Sequence, residues 1–110
     1  MKNSYAKDLE RLWNIYSPID LFTDFESLVV DIQKREELIE PCRKLIASRN
    51  KLKNYNKKNS YDLKSEFERI LNLGWLPHSI FIFSAFLEGV KIKAIGEING
   101  AWVFETNIGK

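Results

Sequence analysis

The last third of the chain, from Ser79 to Thr106, contains three stretches of β-type residues. Glu88-Gly89 separates the first stretch from the second, and Asn99-Gly100 separates the second from the third. An Asn-Gly pair between two such stretches is a strong signal for a two-residue hairpin turn. The pattern therefore predicts a three-stranded antiparallel meander.

Counting outward from two-residue turns gives the predicted meander two unequal faces, with Leu87 opposite Val90 and Ile98 opposite Ala101. The inner face is apolar and should pack on the helices: Phe81, Phe83, Ala85, Leu87, Val90, Ile92, Ala94, Ile98, Ala101 and Val103. The outer face is mixed: Ile80, Ile82, Ser84, Phe86, Lys91, Lys93, Ile95, Glu97, Trp102, Phe104 and Thr106.

The apolar side chains of the outer face need a cover, and two interpretations are open. In the first, the N-terminal helix packs on this face through Trp13 and Tyr16. In the second, the face binds another protein, because aromatic anchors inside a charged rim are typical of interface hot spots. The anchors and rim would then be Phe86, Trp102 and Phe104 with Lys91, Lys93 and Glu97.

Apolar residues at helical spacing predict a first helix from Ser4 to Tyr16. Thr23 and Glu26 fit a capping box, which predicts a second helix after Thr23. Its inner stripe would be Phe25, Val29, Ile32 and Ile39 with Leu28 beside it, and its outer face Glu26, Gln33, Glu37 and Glu40. A strand from Ser27 to Ile32 is the competing interpretation, because Leu-Val-Val is also typical of strands.

Pro41 requires a break or a kink, because proline is tolerated in the first turn of a helix but not in its interior. A helix from Pro41 to about Leu52 should bury Cys42, and residues 53–59 should form an exposed loop. Ser60 or Asp62 can cap a further helix that ends at Leu73, with Gly74 as its stop and Trp75 folded back on Ile70.

Length and composition indicate a single α+β domain over residues 1–110, with three or four N-terminal helices packed on the C-terminal three-stranded antiparallel meander. A content of 45% apolar residues is typical of globular chains. No apolar run reaches the ~18 residues of a membrane span, and charges occupy the N-terminal positions where a signal peptide is apolar. We therefore expect a cytoplasmic protein. One cysteine and one histidine do not make a zinc set, so we expect no metal and no cofactor.

Charge is unevenly distributed along the chain, although the net value is only +2. The basic segment 43–58 contains no acid and seven cations: Arg43, Lys44, Arg49, Lys51, Lys53, Lys57 and Lys58. From Asp8 to Glu40 there are nine acids against Arg11, Lys34 and Arg35. We expect an acidic end and a basic end that orient a charged partner.

Candidate chemistry is sparse. His78 follows Pro77 in a predicted turn and is interpreted as a surface turn residue. A general base is the weaker hypothesis, because no nucleophile can be placed beside it from sequence. Cys42 is interpreted as a buried thiol, with a reactive thiol near Arg43 and Lys44 as the weaker hypothesis. No nucleotide-binding or metalloprotease motif is present.

These patterns favour a non-catalytic protein-interaction module, and specifically an inhibitory partner of a toxic enzyme, such as an immunity protein or antitoxin. Besides the sheet residues, the acidic stripe Glu26, Glu37 and Glu40 is a candidate contact for a basic partner. A small nucleic-acid-binding protein is the alternative, using the basic segment with Tyr55 as a stacking aromatic. A small toxin or nuclease-like enzyme without a recognisable motif is a second alternative.

Overall fold

A computed structural model of the chain describes residues 3–17 and 24–110. Within these ranges the fold is α+β, as predicted, but it contains more helix and less sheet than the sequence pattern indicates. The helices are α1 (Asn3–Tyr16), α2 (Phe25–Lys34), α3 (Ile39–Ser48), α4 (Ser60–Leu71) and α5 (His78–Leu87), with a 3₁₀ turn at Glu36–Leu38. Strands β1 (Ile92–Ile98) and β2 (Ala101–Thr106) form one antiparallel hairpin.

The predicted first strand of the meander is helix α5, so the three-stranded prediction is wrong. Every residue from His78 to Ala85 is buried, on all sides of the helix. Helices α1, α2, α3 and α4 all contact α5, so it has no polar face. An apolar run without polar alternation fits a buried strand and a buried helix equally well, and periodicity alone does not distinguish them.

Glu88-Gly89 is therefore the end of a helix and not a hairpin turn. Glu88 is the C-terminal cap of α5, and Gly89 has a φ of 71°, the left-handed conformation that glycine adopts readily. The Val90 amide donates to the Ala85 carbonyl (3.3 Å) and closes the helix end. The predicted pairing of Leu87 with Val90 does not occur.

Aromatic contacts join α5 to its neighbours. Phe81 meets Phe67 of α4 edge to face at 5.2 Å between ring centroids, and Phe83 meets Tyr5 of α1 in the same way at 5.7 Å. Burial of each such ring is worth ~1.5–3 kcal/mol, so these contacts contribute substantially to the stability of the fold.

The first helix is confirmed, and the helix interpretation of residues 25–34 is confirmed against the strand interpretation. Thr23 of the predicted capping box lies outside the described residues. The cap that the structure shows is Asp24, whose carboxylate accepts from the Ser27 amide at 2.8 Å. This hydrogen bond holds the pKa of Asp24 below its usual value.

The break between α2 and α3 precedes Pro41 in the chain. Arg35 leaves the helical region, with a φ of −132°, and α3 begins at Ile39. Pro41 therefore lies in the first turn of α3, where its missing N–H would have no intrahelical acceptor. The predicted apolar stripe from Phe25 to Ile39 is therefore not continuous, because the helix breaks at Arg35. Helix α3 ends at Ser48, before the predicted end at Leu52.

Helix α4 also ends earlier than predicted. Asn72 takes the left-handed conformation (φ 52°) and caps the helix, so α4 stops at Leu71. Gly74 is also left-handed (φ 74°) but lies beyond this cap. The predicted contact of Trp75 with Ile70 buries neither side chain, since both are more than half exposed.

The Asn99-Gly100 hairpin is confirmed. Asn99 and Gly100 have φ values of 53° and 87°, the two positive values of a type I′ turn, and Ile98 pairs with Ala101 as predicted. Farther from the turn, a β-bulge leaves Ile95 unpaired between Ala94 and Gly96.

The bulge changes which residues share a face. Ala94 now pairs with Phe104, and Ile92 pairs with Thr106, so both leave the predicted inner face. By the same shift, Lys93 pairs with Glu105.

The two strands of the hairpin differ in their surroundings. Along the outer edge of β2, the Ser60 hydroxyl accepts from the Phe104 amide (3.1 Å), and the Asn56 amide donates to the Thr106 carbonyl (2.7 Å). The Tyr16 ring covers Phe104 edge to face at 5.5 Å, as the first interpretation of the outer face expected. Trp13 instead packs on Phe25. From Lys93 to Ile98, β1 is exposed throughout.

None of the helices in the described part of the chain is long and apolar enough to cross a membrane.

Two isoleucines distinguish this fold from the predicted meander. Ile82 belongs to the predicted outer face but is fully buried, whereas Ile98 belongs to the predicted inner face but is 59% exposed. We expect Ile82→Ala to lower the free energy of unfolding by ~2–5 kcal/mol because it leaves a cavity around α5. Ile98→Ala, the matched control, should cost less than ~1 kcal/mol. Urea denaturation measures both, and equal costs would contradict the helical assignment of α5.

Candidate interaction surface on the hairpin

The three predicted aromatic anchors do not form one surface. Phe86 lies at the end of α5, half-buried, with the Arg11 guanidinium 5.2 Å from its ring centroid. Phe104 is fully buried, so its assignment as a partner anchor is wrong. Trp102 is half-buried and donates from Nε1 to the Glu97 carboxylate at 3.0 Å. Helix α5 and the bulge separate side chains that a flat meander would align.

The exposed surface of the hairpin is formed by residues of β1 and not by the predicted aromatic anchors. Ile95 is 47% exposed and Ile98 is 59% exposed, and Lys93 and Glu97 are exposed on the same strand, with Glu97 opposite Trp102 on the other face from Ile98. We call these four exposed residues of β1 the hairpin surface. Sequence reasoning placed Ile98 in the core and put Ile95 among the outer-face side chains that need a cover, but not among the anchors. The available signal was Gly96, since a glycine inside a strand pattern often marks a bulge.

Four cations of the basic segment 43–58 make contacts within the fold. Arg43 donates to Glu88 at 2.6 Å, which raises the pKa of Arg43, and it lies 3.7 Å from Glu40. The remaining three contact backbone carbonyls, an aromatic ring and Glu66. Lys51 Nζ donates to the Ile46 (2.6 Å) and Arg49 (2.8 Å) carbonyls, Arg49 lies over Phe67 and 3.7 Å from Glu66, and Lys58 Nζ is 3.7 Å from Glu66.

The other cations of the segment remain at the surface, where Lys44, Lys53 and Lys57 are exposed and make no ion pair within the described residues. Lys53 lies next to the start of β1, because Lys91 Nζ donates to the Lys53 carbonyl at 3.2 Å. Lys93 Nζ lies 4.6 Å from the centroid of the Tyr55 ring and 3.6 Å from the Glu105 carboxylate. Lys53, Lys91 and Lys93 form the lysine cluster, which continues into the hairpin surface through Lys93.

Backbone pairing with the C-terminal segment places the lysine cluster. The Leu52 amide donates to the Asn107 carbonyl at 2.7 Å, and residues 50 and 109 also pair. A Cβ on Gly109 would lie 2.8 Å from the Asn50 carbonyl oxygen, so this close approach requires glycine. The Asn107 side chain accepts from the Lys91 amide (2.9 Å) and donates to the Leu52 carbonyl (3.2 Å). Asn107 therefore connects Lys91 at the start of β1 to Leu52, the neighbour of Lys53.

The predicted acidic stripe is divided among three elements by the break at Arg35. Glu26 lies on α2, where it lines a shallow cavity with Asp24 and Asp31. Glu37 lies in the 3₁₀ turn and pairs with Arg35 at 3.1 Å. Glu40 lies on α3 and accepts from the Tyr5 hydroxyl at 2.7 Å.

His78 is buried, so its interpretation as a surface turn residue is wrong. Its Nε2 lies 2.7 Å from the Ser60 hydroxyl, and its ring stacks on Tyr61 at 3.9 Å. The same Ser60 hydroxyl accepts from the Phe104 amide. The pair joins α4, α5 and β2 inside the core.

Cys42 is a buried thiol, as its preferred interpretation expected. Burial raises its pKa to about 12. The thiol is therefore neutral near pH 7. Among the described residues, no group of His, Cys, Asp and Glu side chains is arranged to hold a metal ion.

No protein-family model matches the chain, and neither a curated protein nor a solved structure is detectably similar to it. The proposal for function therefore rests on the hairpin surface and the lysine cluster.

Asn107 should hold the lysine cluster in place. We expect Asn107→Ala to lower the free energy of unfolding by ~1–3 kcal/mol, because it leaves the Lys91 amide without its acceptor. Hydrogen exchange should show faster exchange of the Lys91 amide. Asn54→Ala, at an exposed position next to Lys53, is the control and should change stability by less than ~0.5 kcal/mol. Equal exchange rates in both variants would contradict the role of Asn107.

The raised pKa of Cys42 predicts low thiol reactivity. At pH 8 the folded protein should react with a disulfide reagent far more slowly than the same chain in denaturant, because the buried thiol stays protonated. The unfolded thiol ionises near its ordinary pKa of 9.0 and the folded one near 12, so stability should fall as pH rises through this window. Rapid labelling of the folded protein would contradict this assignment.

Proposed function

We propose that this protein is a non-catalytic protein-binding module that contacts its partner through the hairpin surface. The observation that carries the proposal is the exposure of Ile95 and Ile98 on a strand whose neighbouring side chains are charged. Apolar side chains inside a charged rim resemble the composition of protein interfaces more closely than that of an ordinary strand surface.

The hairpin is suited to binding because its shape is fixed before a partner arrives. Its turn has the geometry matched to strand twist, and β2 is attached to α1 and α4 through Tyr16 and Ser60. The Trp102–Glu97 hydrogen bond orients one rim carboxylate. A fixed surface loses little conformational entropy on binding, which favours affinity.

The role that we propose is inhibition of a toxic enzyme in the cytoplasm, as an immunity protein or antitoxin performs it. An uneven distribution of charge supports this role, since Lys53, Lys91 and Lys93 lie at the start of the hairpin, whereas Asp24, Glu26 and Asp31 line a shallow cavity at α2 together with Lys34. A field of this kind accelerates and orients association with a charged partner.

The test compares two exposed isoleucines in affinity capture from host lysate. Ile98→Glu should weaken the captured complex at least ~10-fold (about 1.4 kcal/mol), because a carboxylate would be buried against the partner. Ile70→Glu is the matched control, since Ile70 is 51% exposed on α4, away from β1. It should leave capture unchanged, and both variants should keep the wild-type circular dichroism spectrum.

Equal loss of the partner in both variants, or retention in both, would contradict the hairpin surface as the binding site.

A further inference from the structure

The lysine cluster and the hairpin surface form one continuous strip along β1. Lys91 and Lys93 lie at its beginning, beside Lys53, and the exposed isoleucines lie toward the turn. A strand rises ~3.3 Å per residue, so Lys93 and Ile98 are separated by ~16 Å. The strip has a cationic half and an apolar half.

We propose that the partner binds this strip through an acidic segment followed, ~16 Å farther on, by an apolar one. This inference rests on the proposed function and adds the chemistry of the partner. The acidic segment would be attracted to Lys53 and Lys91, which are exposed and make no ion pair among the described residues. The apolar segment would bury Ile95 and Ile98.

Two features favour an acidic protein over a nucleic acid at the lysine cluster. The Lys93 ammonium lies over the face of Tyr55, where a base would stack. The strip continues into isoleucines, which offer a phosphate backbone no partner, whereas a protein segment of mixed character fits both halves.

The probe is a fluorescent peptide of four glutamates, two glycines and Leu-Val-Leu, which spans both halves of the strip. Its affinity for the full chain is measured by anisotropy at low and physiological salt. Two comparison ligands keep the length but change the chemistry: the same peptide with lysines in place of the glutamates, and an oligothymidine of similar charge. We expect the acidic peptide to bind and the lysine peptide not to bind.

Charge reversal localises the site. The double variant Lys53→Glu, Lys91→Glu should weaken the acidic peptide roughly 10-fold, since two attractive pairs become repulsive. It should bind the lysine peptide better than the wild-type chain does, a gain that structural damage would not produce. The matched control, Lys7→Glu with Lys44→Glu, changes the net charge equally at exposed positions elsewhere and should leave affinity unchanged.

Three results would overturn the inference: equal weakening by both double variants, absence of binding by the acidic peptide, and displacement of that peptide by oligothymidine at lower concentration. The last would assign the cluster to nucleic acid. If the captured partner is lost with Ile98→Glu but kept by the lysine double variant, the acidic segment of the partner is rejected while the proposed function stands. Captured partner that is insensitive to Ile98→Glu would overturn the proposed function itself.

Discussion

Burial of α5 on all sides is the constraint on which the rest of the structure depends. A helix without a polar face must be surrounded, and α1 to α4 supply that surrounding. Once four helices are committed to α5, the chain has little left to cover a sheet. The hairpin therefore receives only the end of α1 and the start of α4, which is enough for one strand.

The unequal environment of the two strands follows from this limit. Tyr16, Ser60 and Asn56 attach β2 to the helices, so its aromatic and apolar side chains complete the core. Strand β1 is attached through β2, through Asn107 and through the Tyr16 hydroxyl, which donates to the Ile92 carbonyl at 3.1 Å. Ile95 at the bulge and Ile98 beyond it are exposed. The bulge also interrupts the open edge of β1, a device that discourages uncontrolled strand pairing. This exposed strand is the surface through which we propose that the protein binds a partner.

The basic segment illustrates how charges that look alike in sequence acquire different tasks. Lys51 binds carbonyls at the end of α3, and Arg49 lies over Phe67 and beside Glu66, so these cations stabilise the fold. The Lys53 carbonyl accepts from the Lys91 ammonium, whereas the Lys53 side chain remains at the surface. The sequence showed seven cations in one run, but only contacts across the fold separate structural cations from those available to a partner.

The amino-acid sequence by itself determined the elements whose signals are local. Helical spacing predicted α1 and α2, the tolerance of a first helical turn for proline explained Pro41, and Asn99-Gly100 fixed the hairpin turn with the pairing of Ile98 and Ala101. It also predicted the burial of Cys42. Tertiary structure decided the rest: the helical state of residues 78–87, the burial of His78 and Phe104, and the exposure of Ile98. These depend on which surfaces the other elements leave to be covered, and a uniformly apolar run carries no period from which that could be read. The surface with functional interest therefore became visible only after the packing around α5 was known.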